Sequence, residues 1–428
     1  YRNQVTEPLA NYNIIVLDQQ FGGNSSVSFI NTNVTRNGHF KDANVTGLLL
    51  DFKNKKNTIG LEVETKHSLL NLETGNVSGF SGGIGIGKIS GNHQYSMDYS
   101  IADKKFDIND FGIQNRNNFS NFGVDYSYRI FEPSKNLLNF NYSLWFNYRM
   151  LYKPNTYYGK NIGGSFYGQT HGLMDFGGNF NYEIGKQYDY FEPRAEGRYF
   201  IFENWMNTNV WISTNYNKTF ALDTNVGFGT MVESGRDVFK YWFGIGPRVR
   251  FSDKFNLQYK FDFDQNNGSR GFVNNNGTDI IFGERNIKTI ENSLSGSYNF
   301  NTFHALSLTV RNYWSTVDYD NDLYALENNG RLSQTDNYTL EDINSPNVNF
   351  NTWNFDFGYS WQFAPGSQFT ALYRNNLFHA TETSKDTYFN SVDQLFDNPI
   401  NHNFSVRLVY YIDYNNVKNI FKTKSKNI

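Results

Sequence analysis

Residues 353–363 read Trp353-Asn354-Phe355-Asp356-Phe357-Gly358-Tyr359-Ser360-Trp361-Gln362-Phe363, with an aromatic ring at every second position. Neighbouring side chains of a β-strand point to opposite faces, so this stretch predicts a strand with one face of rings and one of polar groups. The same alternation recurs from Ser26 to Asp413, without a helical stripe. Such a chain must place one apolar face of every strand in the same medium. A lipid bilayer around a water-filled barrel is that medium.

The composition supports this interpretation. Among 428 residues there are 40 Phe, 30 Tyr and 7 Trp, an aromatic content of 18%. Tyr and Trp suit the headgroup region, where a ring is buried while its polar tip stays wet. The mean hydropathy of −0.61 resembles that of a soluble protein, but a membrane barrel exposes only alternate residues to lipid. No apolar run approaches the ~18 residues that a transmembrane helix needs.

Charge and cysteine content exclude several classes of function. The net charge is −3 and no basic face is evident, so nucleic acid is not an expected partner. The chain has no cysteine, which excludes disulfides, thiolate metal sites and cysteine nucleophiles. The sequence begins at Tyr1 without Met or a signal peptide, so we expect either a removed export signal or an upstream part of a longer protein.

Eighteen strands are predicted, and the connections between them alternate between short and long. The strands begin near residues 26, 44, 58, 80, 93, 120, 137, 162, 174, 205, 219, 238, 255, 289, 304, 349, 367 and 401. The long connections include residues 67–79, 103–119, 266–288 and 317–348. Bacterial outer-membrane barrels have short periplasmic turns, longer extracellular loops and an even strand count. The predicted fold is therefore all-β, a transmembrane antiparallel β-barrel of about 18 strands (alternative 16), in the outer membrane of a Gram-negative bacterium.

The alternation of short and long connections, which we call their parity, sets the predicted domain boundaries. Residues 26–414 are predicted to form the barrel. Residues 1–25 contain the apolar run Ile14-Ile15-Val16-Leu17, but a strand there would break the parity, so the segment is expected in the periplasm or the lumen. Residues 415–428 carry four lysines and are expected to form a solvated periplasmic tail.

Charged residues of both signs fall on the predicted interior of the barrel. They are Asp125, Arg129, Arg149, Glu183, Arg248, Arg250, Lys260, Asp262, Arg311, Asp356, Arg374 and Arg407. Rings of one sign would indicate ion selectivity, whereas mixed signs favour cross-strand pairs that stiffen a wet wall. In residues 192–198, charges alternate in sign at every second position, at Glu192, Arg194, Glu196 and Arg198. We place this segment in an outer loop folded back over the pore, with structural bracing favoured over ligand binding.

Two short motifs resemble functional sites. Gly79-Phe80-Ser81-Gly82-Gly83 matches the G-x-S-x-G string of serine hydrolases, but a glycine-rich strand follows the serine where a helix is required. Asp318, Asp320 and Asp322 begin like a calcium loop, yet Leu323 stands where glycine is needed. They are weak metal candidates in an outer loop. No catalytic residues and no cofactor are predicted.

Several stretches resemble a largely uncharacterised outer-membrane protein family of Bacteroidetes, over essentially the whole chain. They are residues 7–13 (EPLANYN), 30–36 (INTNVTR), 42–47 (DANVTG), 188–194 (YDYFEPR), 282–285 (FGER), 289–292 (TIEN) and 304–314. Members of that family join an N-terminal domain like carbohydrate-binding module family 9 to a C-terminal membrane barrel. The resemblance implies that this chain is the barrel part and that a sugar-binding module precedes it.

The leading hypothesis for function is a channel or membrane anchor linked to the binding or uptake of glycans or other polar solutes. The alternative is a structural or interaction subunit of a larger outer-membrane complex, with a non-conducting barrel. A membrane-associated hydrolase is third, and the protein is not expected to be an enzyme. Expected partners are membrane lipids, lipopolysaccharide, other outer-membrane proteins or lipoproteins, and a glycan. Trp145, between Ser143 and Asn147, is a candidate for stacking on sugars, although a structural ring is the stronger interpretation.

Overall fold

The computed structural model describes residues 8–38, 40–341 and 346–413, and this part of the chain is almost entirely β-sheet. Its elements are β1 (Ala10–Phe21), β2 (Ser25–Arg36), β3 (Asp42–Lys53), β4 (Ile59–Leu72), β5 (Gly75–Lys88), β6 (His93–Ala102), β7 (Phe119–Arg129), β8 (Leu137–Leu151), β9 (Tyr157–Thr170), β10 (Asp175–Glu183), β11 (Lys186–Asp189), β12 (Phe200–Glu203), β13 (Trp205–Ser213), β14 (Phe220–Met231), β15 (Phe239–Arg250), β16 (Phe255–Asn275), β17 (Ile280–Asn299), β18 (His304–Leu326), β19 (Leu332–Thr335), β20 (Val348–Ala364), β21 (Ser367–Thr381), α1 (Tyr388–Phe396) and β22 (Asn401–Val409). Within these ranges, no helix has the length and apolar character that a membrane crossing requires.

Twenty strands form one antiparallel sheet, and β11 pairs with β12 in a separate two-stranded sheet. From β1 to β10, β13 to β18 and β20 to β22 the strands follow one another as a meander of nineteen neighbours, while β19 pairs with β18 alone. Each of the eighteen predicted strands corresponds to a strand of this meander. The prediction of an all-β fold is confirmed.

The prediction that residues 1–25 lie outside the strands is wrong for residues 10–21. These residues form β1, which pairs with β2 along its whole length, from Ala10 opposite Arg36 to Phe21 opposite Ser25. This strand was not predicted because it would break the alternation of short and long connections. With β1 and β19 added to the eighteen predicted strands, the main sheet contains twenty.

Several connections predicted as long loops are extended hairpins. Only residues 73–74 separate β4 from β5, and only residues 276–279 separate β16 from β17. β18 runs on to Leu326 and pairs there with β19. Beyond the region of alternation these strands carry consecutive buried apolar residues, such as Ile280 to Phe282 and Leu323 to Tyr324. The two-residue alternation therefore ends although the backbone pairing continues. The hairpin ends form what we call the long-loop end of the sheet, and the opposite edge is the short-turn end.

The described strands do not close into a barrel, in contrast to the prediction. β1 pairs only with β2 and β22 pairs only with β21, and nearly every residue of these two edge strands is exposed. The odd number of strands in the meander gives a physical reason. β1 and β22 run in the same direction, so the antiparallel pairing used everywhere else cannot join them. The predicted tail at residues 415–428 lies outside the described residues.

The connection between β6 and β7, residues 103–118, folds back over the long-loop end of β2 to β5. Phe111 packs on a small core of Val34, Ala43 and Leu70. Asp110 forms ion pairs with Arg36 (2.8 Å) and Lys41 (3.0 Å). The loop backbone lies so close to β5 that a Cβ atom at Gly79 would lie 2.2 Å from the amide nitrogen of Phe106. Glycine is required at this position because two backbones approach each other there.

Helix α1 covers part of the sheet near the same end. Thr387 caps its first turn by accepting a hydrogen bond from the Asn390 amide, and Ser391 and Leu395 are buried against the sheet. The Ser391 hydroxyl donates to Asn349 Oδ1 (3.0 Å), and the Tyr388 hydroxyl donates to Asn312 Oδ1 (2.7 Å). The sequence analysis did not predict this helix, because nine residues within a long connection give only a weak periodic signal.

Replacement of Gly79 by alanine should detach the loop of residues 103–118, because the added methyl group would clash with loop backbone atoms, which cannot move aside as a flexible side chain can. We expect faster proteolytic cleavage within residues 103–118 of the folded protein. Gly85→Ala, on the same strand, is the matched control, because a Cβ there meets nothing closer than 3.9 Å. Equal cleavage rates in the two variants would contradict this account.

Candidate functional site

Each strand of the meander separates apolar from polar side chains, and the register carries this separation across the sheet. Cross-strand neighbours Val63, Ile84, Tyr99 and Phe122 stand in one row of the apolar face. Directly opposed residues lie on the same face. Large apolar side chains of this face are exposed, for example Met97 (55%), Val226 (55%) and Phe243 (42%). Exposed rings and aliphatic groups across every strand of a sheet are a surface that water does not favour.

The charged residues predicted to lie inside the barrel share the opposite, polar face. Several form ion pairs between strands: Arg149 with Glu183, Arg311 with Glu291 (2.8 Å) and Arg374 with Asp356 (2.7 Å). Lys260 lies 4.0 Å from Asp262 on the same strand, β16. Arg248 donates to Gln258 (3.0 Å). Asp125, Arg129, Arg250 and Arg407 stand on the same face of their strands without an ion pair among the described residues.

One part of the polar face is acidic. Asp51, Glu62, Glu64 and Asp98, on β3, β4 and β6, line a cavity of about 390 Å³. Lys53 pairs with Asp51 (2.7 Å) and Lys66 pairs with Glu64 (2.7 Å), whereas Glu62 and Asp98 have no ion pair within the described ranges. Negative charge is therefore concentrated on β3 to β7, while the charges on β15 to β21 are mostly paired.

Residues 186–203, between β10 and β13, bridge two distant parts of the long-loop end. On one side Lys104 lies 3.6 Å from Glu196, and the guanidinium of Arg116 lies 4.6 Å from the ring centre of Phe191. On the other side the segment contacts β16 to β18, and seven strands of the meander separate these two contact regions. We call this segment, together with residues 103–118 and the hairpin ends β16–β17 and β18–β19, the loop cap.

The alternating charges of residues 192–198 all make contacts that hold the loop cap together. Glu192 Oε1 accepts a hydrogen bond from the Phe272 amide (2.8 Å), and the Arg194 guanidinium lies 4.5 Å from the Phe272 ring. Arg198 donates to the carbonyl oxygens of Leu326 (2.7 Å) and Glu327 (3.1 Å), and Glu196 pairs with Lys104. Residues about 80 to 130 positions apart in sequence are joined in this way.

A hydrophobic cluster and a bridging arginine complete the loop cap. Phe200, Ile280, Phe282, Tyr324 and Leu326 form the cluster, and all are buried. Arg331 binds Glu203 through one guanidinium nitrogen and Glu233 through another (2.8 Å). Sequence reasoning missed these residues, because single arginines and aromatic residues in long connections carry no periodic signal.

A cavity of about 410 Å³ opens beside Arg331 and is lined by Arg236, Arg270, Glu203 and Glu233, among others. The Arg270 side chain donates to Glu284 (3.0 Å) and stacks 3.7 Å from the Tyr324 ring centre. The Nε atom of Arg236 is buried without an acceptor in the described part of the chain. Burial lowers the pKa of the Arg236 guanidinium, and the positive charge of Arg270 lowers this pKa further.

The two short motifs of the sequence occupy ordinary strand positions. Ser81 lies within β5 and its hydroxyl donates to the carbonyl oxygen of Ile101 (2.9 Å), so it does not stand on a strand-to-helix turn. Asp318, Asp320 and Asp322 belong to β18 and not to a loop, contrary to the prediction. Asp318 accepts from Ser384 (2.6 Å), and the described residues contain no cluster of His, Asp and Glu that could hold a metal ion.

Replacement of Arg331 by glutamine should loosen the loop cap, because it leaves Glu203 and Glu233 without their shared cation. A hydrogen bond to a charged group contributes about 1.5 kcal/mol, so hydrogen exchange of the amides in β12 should accelerate roughly tenfold. Arg374→Gln, which breaks an exposed pair on β21, is the control and should leave β12 exchange unchanged. A uniform change across all strands would contradict a local role for Arg331.

Comparison with solved structures found distant likenesses. The copper transporter OprC matches with 9% identity and a TM-score of 0.36, over 90% of this chain and 63% of the transporter, so the chain spans less than two thirds of its length. An anion-selective porin from Comamonas acidovorans matches with 10% identity and a TM-score of 0.28, over 86% of this chain and 90% of the porin. A loop-deletion mutant of OmpT, an outer membrane protein of Vibrio cholerae, matches with 9% identity and a TM-score of 0.28, over 88% and 93%. Likenesses at these values carry no information about function.

No curated protein matches the sequence. A family model described as "Domain of unknown function (DUF5916)" matches residues 1–421, which is nearly the whole chain. The chain therefore belongs to the DUF5916 family.

Proposed function

We propose that the protein is an outer-membrane β-barrel channel for polar solutes, with an outer mouth narrowed by the loop cap. The observation that carries the proposal is the division of the sheet, from β2 to β22, into an exposed apolar face and a polar face. A sheet in lipid must satisfy every backbone group by pairing, and a closed barrel is the form that achieves this. Its polar face then surrounds water.

Closure needs a partner for β22, and the edge of β2 is the best one. β2 runs opposite to β22, so the two strands can pair in the antiparallel manner of the rest of the sheet. β22 alternates cleanly, with Phe404, Val406 and Leu408 on the apolar face, as a lipid-facing strand requires. β1 lacks this alternation and occupies the β2 edge in the structure. We propose that β1 leaves this edge in the membrane and that β2 to β22 close as the eighteen strands predicted from the sequence.

The loop cap favours a gated or narrowed channel rather than a wide open pore. Residues 186–203 run between contact regions that are seven strands apart, which is about half of an eighteen-strand circumference. Barrels of this size leave an aqueous channel unless loops or a plug fill it. We also propose, from the family resemblance, that the protein comes from Bacteroidetes and that a sugar-binding module lies upstream. That module would supply glycans to the channel.

A second candidate function, a structural subunit of a larger envelope complex, is favoured by the unpaired edges of β1 and β22. An exposed edge strand can pair with a strand of another chain. In that case the edges would be filled by a partner, and β22 would not contact β2.

Closure can be tested with cysteine pairs, because the chain has no native cysteine. Ser405→Cys, on the polar face of β22, should form a disulfide in native membranes with a cysteine at Ser26, Ser28 or Ile30 of β2, since facing residues of paired strands lie within bridging distance. Val27→Cys, which points to the other face, is the control and should not react. Bridging of Ser405→Cys to Val16→Cys or Asp18→Cys would show instead that β1 closes the barrel. Absence of any bridge would favour the structural subunit.

The role of the cap can be tested by shortening it. Asp189 and Phe200 already face each other as the last pair of β11 and β12, so a two-residue Asn-Gly turn can replace residues 190–199. We expect the single-channel conductance in planar bilayers to increase. Replacement of α1 by a Gly-Ser linker of equal length is the control and should not change the conductance, because α1 contacts Asn351 and Trp353, on the side of β20 that carries the rings. Unchanged conductance after shortening would remove the cap from the solute path.

A further inference from the structure

Four of the seven tryptophans stand on the polar face within the six consecutive strands from β8 to β15, one on β8, two on β13 and one on β15. Each lies against a glycine of an adjacent strand. Ideal Cβ positions show how close the contacts are. A Cβ at Gly163 would lie 2.4 Å from the Trp145 ring, at Gly177 2.7 Å from Trp211, at Gly227 2.2 Å from Trp242 and at Gly229 2.8 Å from Trp205. The indoles therefore lie against the sheet in the space that a glycine leaves, and any other residue at the glycine position would fill that space. We call these four glycines the glycine seats.

The four tryptophans stand at four successive levels of the polar face, spread over β8, β13 and β15. The level of each ring can be found by following cross-strand partners from strand to strand as far as β14. Trp211, Trp242, Trp145 and Trp205 then stand level with β14 residues 225, 227, 229 and 231, respectively. Successive levels are thus two residues, or roughly 7 Å, apart along the strand direction, while the strands that carry successive rings are two to five positions apart across the sheet. Each ring is only partly exposed, which fits one covered face and one face open to the lumen.

Amide side chains surround the rings. Asn207 and Asn225 lie directly across from glycine or tryptophan positions of this wall, and Asn179 lies in the same set of rows. Among the described residues, the side chains of these three asparagines make no hydrogen bond with another protein group. Asn209 accepts a hydrogen bond from the Trp242 indole nitrogen (2.9 Å), which fixes that ring. The wall therefore offers flat apolar faces beside free donors and acceptors.

We propose that this tryptophan wall binds neutral pyranose oligosaccharides as they pass along the lumen. A pyranose ring has an apolar face of C–H groups, which a flat indole face attracts through its negative quadrupole, and an edge of hydroxyls, which amides bind. A charged ligand fits the wall less well, because Lys240, the cation nearest to the Trp242 ring at 5.5 Å, is already paired with Asp264 at 2.8 Å. The inference deepens the proposed channel function and rests on it for its biological meaning.

A purely structural role is the competing explanation, since indoles also fill space between strands. The partial exposure of the rings and the unpaired amides distinguish the two roles, because packing alone would cover the rings completely and pair the amides. A structural role predicts changes in stability without changes in sugar affinity.

The test measures binding of maltohexaose and of cellohexaose to the purified full chain in detergent, by isothermal titration calorimetry. We expect Trp211→Ala and Trp242→Ala each to raise the dissociation constant of at least one of these sugars about tenfold, the usual scale for loss of one aromatic contact. Trp242→Phe should retain most of the affinity because it keeps an aromatic face. Trp361→Ala, on the apolar face, is the control and should bind as the unmodified protein does.

Substitution of the glycines beneath the rings tests the same binding site independently. Gly227→Ala should weaken binding as Trp242→Ala does, because the methyl group displaces the indole. Gly246→Ala, on the same face, should not, since a Cβ there meets nothing closer than 3.4 Å. Equal affinity in all variants, or no binding of either sugar to the unmodified protein, would overturn the inference. Sugar binding without any ion conductance in bilayers would retain the tryptophan wall and reject the channel.

Discussion

The structure depends on one constraint, that successive side chains of a strand point to opposite faces while the register between strands holds. Because facing residues of neighbouring strands share a face, the alternation of a single strand becomes a property of the whole sheet. A slip of one residue between any two strands would place rings among carboxylates. The register shifts lie toward strand ends: those between β16 and β17 are near the long-loop end, and those at Leu137 of β8 and Ala364 of β20 are at the short-turn end.

The fold was predictable where the alternation is present and only there. Eighteen strands could be located because each carries rings or aliphatic side chains on one face, as in Trp353 to Phe363 and in Ile59 to Val63. β1 was missed because it breaks the alternation of short and long connections, and β19 and α1 were missed because short elements carry little periodic signal. Closure is a question of strand parity and edge pairing, which no local pattern encodes.

The candidate site was predictable in its residue types but not in its geometry. The sign alternation in residues 192–198 marked a segment whose charges brace the loops, yet its partners Phe272 and Leu326 lie far away in sequence. Trp145 was singled out by its polar neighbours, but its seat on Gly163 depends on the register of β8 with β9. Neither contact follows from local sequence, because both are set by tertiary pairing.

The seating of each indole on a glycine also couples distant positions of the chain. Trp242 and Gly227 depend on each other. Any side chain at position 227 would displace the indole ring, and any smaller residue at position 242 would leave a cavity above the glycine. Such partners are expected to vary together among related sequences. Joint substitution at the two sites would then reveal the lining of the lumen in relatives for which no coordinates exist.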